Sequence, residues 1–78
     1  MVQASSPSSA DRISITVNGE ARQIAAGSTI ADLVSSIGLD PAKVAVEHNA
    51  EIAPRSQIAG IGLSEGDVLE IVHFVGGG

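Results

Sequence analysis

Thr29-Ile30-Ala31-Asp32-Leu33-Val34-Ser35-Ser36-Ile37-Gly38 is the stretch on which the fold turns. Ile30, Leu33, Val34 and Ile37 stand at i, i+3, i+4 and i+7, which is one apolar stripe along a helix. Thr29 can cap the first turn, Asp32 sits where a capping box wants an acid, and Gly38 supplies the left-handed residue that ends the helix. Both ends of the helix are therefore specified locally, and its single apolar stripe has one sheet face to cover.

Strand signals lie on either side. Upstream, Ile13, Ile15 and Val17 alternate with Ser14 and Thr16, the period of a half-buried strand, and Asn18-Gly19 is a strong two-residue hairpin signal. A return strand is expected over about 20–25, with Ile24 as its core residue. Downstream, Asp40-Pro41 opens a short connection and 44–48 resumes extended structure. Asn49-Ala50 turns the chain into a short strand around Ile52, which Pro54 ends. No clean period runs from Arg55 to Leu63, so an irregular loop is expected there, with room for a helical turn. After the turn Ser64-Glu65-Gly66-Asp67, Val68, Leu69, Ile71, Val72, Phe74 and Val75 form the most apolar run. That run reads as a central strand covered on both sides or faces. One helix among five strands gives an α+β fold.

Length and composition restrict the function. A chain of 78 residues holds one small domain, which buries about 60% of the surface its unfolded chain exposes. With no cysteine there are no disulfides, thiolate metal sites or nucleophilic thiols. The net charge is −5, and Arg12, Lys43, Arg22 and Arg55 are scattered, so no nucleic acid partner is expected. The acidic excess is read first as a solubility feature, with steering toward a basic docking surface as the alternative. No apolar run approaches the ~18 residues of a membrane span and no signal-peptide pattern opens the chain, so no membrane partner and a cytoplasmic location are expected. Residues 1–11, rich in Ser with Pro7, are expected to be a disordered extension, residues 12–75 the domain, and residues 76–78 a flexible tail.

Gly76, Gly77 and Gly78 follow the apolar strand directly. Three terminal glycines can be a frayed end. They can also let a terminal carboxylate travel down a narrow channel into another protein's active site, because glycine permits approaches that a Cβ forbids. A carboxylate is a poor electrophile, so it must first be activated, most economically as an acyl-adenylate made with ATP. The chain has no phosphate loop, no Cys nucleophile and no triad; it reads as a substrate and carrier, not an enzyme, with no bound cofactor and with ATP consumed by an activating partner.

Val46-Glu47-His48-Asn49-Ala50-Glu51-Ile52-Ala53-Pro54-Arg55, then Gly66-Asp67, then Glu70-Ile71-Val72-His73-Phe74-Val75-Gly76-Gly77-Gly78, resemble the ThiS family of thiamine-biosynthesis sulfur carriers. The resemblance covers about 13–78. It implies the ubiquitin-like β-grasp, a small mixed sheet packed on one main helix with its first and last strands parallel at the centre. It also implies that Gly78 is adenylated by an E1-like, ThiF-like adenylyltransferase and thiocarboxylated with sulfur from a donor such as a cysteine desulfurase. The sulfur would then pass to a ThiG-like thiazole synthase. Gly76 and Gly77 would be the flexible approach. Ala50 replaces the Gly common in that turn of the family, Ala53 stands where a larger aliphatic is usual, and the N-terminal extension has no family counterpart.

Phe74, Val75 and Arg55 are candidates for docking a partner. For Arg55 the alternative is a structural bond to the loop that follows it, and for Phe74 a place in the core. His48 and His73 lack companions at metal-site spacing and read as solvent-facing strand residues, so no metal site is expected. Lys43 reads as an ordinary surface lysine. Two alternatives to the thiamine carrier have the same kind of tail: the small subunit of molybdopterin synthase, which usually places prolines before its glycines, and a ubiquitin-like protein modifier.

Overall fold

Alternation of Ile13, Ile15 and Val17 with polar neighbours builds β1 (Arg12–Val17), and Asn18-Gly19 returns the chain as β2 (Glu20–Ala25). Asn18 and Gly19 both have positive φ, 51° and 84°, the backbone that a two-residue type I′ turn requires. The computed structural model describes residues 11–74; the expected N-terminal extension lies largely, and the glycine tail wholly, outside the described residues.

The helix α1 spans Ile30–Ser36 and buries Ile30, Leu33 and Val34. Thr29 Oγ1 accepts from the Asp32 amide at 3.1 Å while Asp32 Oδ2 accepts from the Thr29 amide at 3.0 Å, the reciprocal capping box expected from the sequence. At the other end Gly38 has φ 89°, its N–H reaches the Ser35 carbonyl and the Leu39 N–H reaches the Val34 carbonyl, a Schellman closure. The remaining free amides at the helix start are satisfied by the segment expected to be irregular. The Ile30 N–H donates to the Ile61 carbonyl at 3.0 Å and the Ala31 N–H to the Ile58 carbonyl at 3.1 Å. That segment includes a 3-10 turn, Arg55–Gln57, and inserts buried Ile58 and Leu63 beside the helix.

A 3-10 turn, Pro41–Lys43, follows the helix and leads into β3 (Val44–His48); β4 is Glu51–Ala53 and β5 is Val68–His73. The sheet order is β2-β1-β5-β3-β4, with β1 and β5 parallel and each other neighbouring pair antiparallel. This is the α+β, β-grasp arrangement. Asn18 reinforces the parallel pair: its Oδ1 accepts from the Ile71 N–H at 2.7 Å and its Nδ2 donates to the Ile71 carbonyl at 3.1 Å.

β5 is central, but it is covered on one face only. Leu69 and Ile71 are buried against the helix side, whereas Val68, Glu70 and Val72 are exposed on the other side. The run has strand neighbours on both sides, β1 and β3, but not cover on both faces, because one helix shields one side of the sheet and the strand period of two sends alternate residues outward. The core is aliphatic, with Ile15, Val17, Ile30, Leu33, Val34, Val44, Val46, Leu69 and Ile71 at its centre and Ile24 packed at its margin.

Candidate functional site

β5 delivers the chain to its last described residue, Phe74, whose N–H donates to the Lys43 carbonyl at 2.8 Å. One residue earlier in the same 3-10 turn, the Ala42 carbonyl accepts from Arg55 Nη1 at 2.7 Å. Two consecutive carbonyls, at 42 and 43, thus accept from the guanidinium of Arg55 and from the backbone of Phe74. Arg55 thus bonds the turn before β3, not the loop that follows it. Both residues are exposed, so Phe74 is not a core residue, and both line one open groove of about 690 Å³. Val75, Gly76, Gly77 and Gly78 lie outside the described residues.

The register defines the floor of that groove. Ala45 stands opposite Val72, Glu47 opposite Glu70, and Glu47 opposite Ile52 on the other side. Side chains opposite one another across antiparallel strands share a face, so these residues form the open face of the sheet leading to Phe74. Ile52 is 73% exposed, Val72 59% and Phe74 45%, high values for large apolar side chains standing together. The sequence reading missed this surface. Its signal is the alternation Val68-Glu70-Val72 set beside Ala45-Glu47, which an expectation of cover on both faces of the run conceals.

A polar cluster secures the opposite end of β5. Asp67 is buried and accepts from the Ser64 N–H at 2.9 Å and Asn49 Nδ2 at 3.1 Å, and His48 Nε2 lies 2.8 Å from its Oδ2. Burial pushes the Asp67 carboxyl upward, but the bonds from His48, the Ser64 amide and Asn49 outweigh it and hold the carboxyl below its ordinary value. Asn49 Oδ1 in turn accepts from the Val68 N–H at 2.9 Å, fixing the start of the strand. His48 is therefore a half-buried member of this cluster and not the solvent-facing residue expected; the period of two places it on the side of Val44 and Val46. His73 is exposed. Among the described residues, no three His, Cys, Asp or Glu side chains converge on a common point as metal ligands would.

The model of the ThiS family matches residues 15–78, which takes in the hairpin from the middle of β1 onward, the helix, both carbonyl-held residues at the groove and the glycine tail. The chain belongs to the ThiS family. The sulfur carrier protein ThiS of Bacillus subtilis is 48% identical over 50 residues, 64% of this chain and 76% of that protein. A solved ThiS from Geobacter metallireducens superposes with TM-score 0.70 at 29% identity, covering 85% of this chain and all of that one. Two proteins named thiazole synthase also match over 64 residues: 47% identical in Paramagnetospirillum magneticum and 42% in Magnetococcus marinus. The chain spans about a fifth of the length of those relatives. Family membership agrees with the resemblance read from the 46–55 and 70–78 stretches, and the ThiS fold expected from it is the fold observed.

Proposed function

We propose that this chain is a non-catalytic sulfur carrier of thiamine biosynthesis, and that the sulfur is carried on the carboxylate of Gly78. The observation that carries the reading is the ThiS family match, which extends through Gly76, Gly77 and Gly78. The similarity to the Bacillus subtilis sulfur carrier supports it.

The chemistry follows from the terminus. An E1-like adenylyltransferase joins the Gly78 carboxylate to the α-phosphate of ATP, releasing pyrophosphate and leaving an acyl-adenylate. The terminal sulfur of a persulfide, supplied by a donor such as a cysteine desulfurase, attacks the carbonyl carbon and AMP departs with the bridging oxygen, leaving an acyl disulfide. A second thiol, the two-electron reductant, then attacks the donor's sulfur, forms a disulfide with it and releases the carrier's sulfur. The product is a thiocarboxylate. Val75 and Phe74 would lie at the mouth of the partner's channel, Gly76 and Gly77 within it, and Arg55 at its rim. The chain's own part is to present the terminus, with ATP held and consumed by the partner in the cytoplasm.

The acceptor would be a thiazole synthase. Proteins of that name carry a stretch matching this chain, and joining a carrier to its acceptor in one polypeptide raises their effective concentration. The test is ATP–pyrophosphate exchange by an E1-like enzyme. Exchange that depends on this chain and vanishes when Gly78 is removed supports the reading; exchange indifferent to Gly78 overturns it.

A further inference from the structure

Glu47 and Glu70 face one another directly across β3 and β5 on the open side of the sheet. Like charges so placed destabilise a strand pair. Both are exposed, and among the described residues neither carboxylate has a hydrogen-bond or ion-pair partner. The pair is flanked by Ile52 on β4 and by Val72 one step along β5, and the groove they share continues to Phe74, where the described chain ends. Two facing carboxylates are thus set among the exposed apolar side chains of this face, in the groove that Phe74 also lines.

Exposed apolar side chains gathered on one face favour a partner that covers them. Covering it with an apolar partner alone would strip water from two adjacent carboxylates and leave them unpaired, which is strongly unfavourable. A partner that covers the patch must therefore bring its own cation. A guanidinium suits the position best, since its planar fork can serve two carboxylates at once. The net charge of −5 would add attraction at longer range.

We infer that this face docks the activating enzyme of the proposed function through a basic side chain, an arginine by preference, that enters between Glu47 and Glu70 with an apolar rim closing over Ile52 and Val72. The inference rests on the carrier reading. The acid pair then selects the partner and speeds encounter, while the chemistry stays at Gly78.

The test is ATP–pyrophosphate exchange by an E1-like adenylyltransferase over a range of carrier concentrations, with the full chain and its E47Q/E70Q variant. At low salt the variant should raise KM about tenfold with kcat unchanged. Added NaCl should raise the KM of the unmodified chain toward that of the variant and leave the variant nearly flat. Equal KM and equal salt dependence overturn the inference. So does a variant that keeps its KM but self-associates in sedimentation, because the pair would then serve to keep apolar faces apart. If the unmodified chain supports no exchange, the carrier reading itself fails, which is a different result. Both substitutions are exposed and remove a repulsion, so the variant should unfold no earlier than the parent; if it does, E47Q alone carries the test.

Discussion

His48 Nε2 and Asp67 Oδ2 lie 2.8 Å apart and join the end of β3 to the turn that starts β5. Asp67 also accepts from the Ser64 amide and Asn49, and its backbone carbonyl accepts from the Thr16 N–H at 2.9 Å, so one residue gathers β3, β5 and β1. These bonds hold the carboxyl below its ordinary value, so the unfolded chain takes up this proton more readily than the folded one. The stability it contributes is complete above the ordinary carboxylate value of about 4 and is lost as pH falls through the lower folded value. Urea unfolding from pH 7 down to pH 3 should show this loss, and Asp67→Asn should flatten it. An unchanged acid limb in the variant would contradict the assignment.

Asp67→Ala should cost about 2 kcal/mol at neutral pH, because it leaves the Ser64 amide and the Asn49 side chain without their acceptor. For a domain of this size that lowers the thermal midpoint by roughly 10 °C. A change near zero would mean that water replaces the carboxylate without loss.

Ala50 occupies the β3–β4 turn with φ 71°, a left-handed conformation that an L side chain resists. Ala50→Gly, normally a loosening substitution, should here stabilise the fold by about 1 kcal/mol, the relief exceeding the added entropy of the unfolded chain. A rise in the urea midpoint at constant slope is the expected result.

Asn18 combines two functions that substitutions can separate. Asn18→Ala removes both bonds to the Ile71 peptide and also strains a backbone with φ 51°, with a cost of about 2 kcal/mol or more. Asn18→Gly removes the bonds and spares the backbone, so it should fall between Ala and the parent. Equal stability of the two variants would show that the side chain, and not the turn, carries the whole effect.

Most of the fold could be read where the information is local. The capping box of Thr29 and Asp32, the stop at Gly38 and the hairpin at Asn18-Gly19 depend on neighbours a few residues away, and all appear as expected. The bonds from Ile58 and Ile61 carbonyls to the helix start span about thirty residues, and nothing in the irregular 55–63 stretch announces them. The same holds for the amide of Asn18 on the Ile71 peptide and for the pairing of Glu47 with Glu70, both set by register. Of the candidate site, Phe74 and Arg55 are legible in the sequence, and both line the groove, bonded to the neighbouring carbonyls of Lys43 and Ala42. The open face around them required knowing which side of the sheet the helix covers.

Sulfur loading on the Gly78 carboxylate, as proposed above, has one direct signature. Intact mass measurement after incubation with ATP, an E1-like enzyme and a sulfur source tests it most directly. The expected result is a gain of about 16 Da, oxygen replaced by sulfur, confined to the C-terminal fragment that holds Gly78. An unchanged mass with an enzyme that loads another ThiS protein, or a gain located elsewhere in the chain, would contradict it.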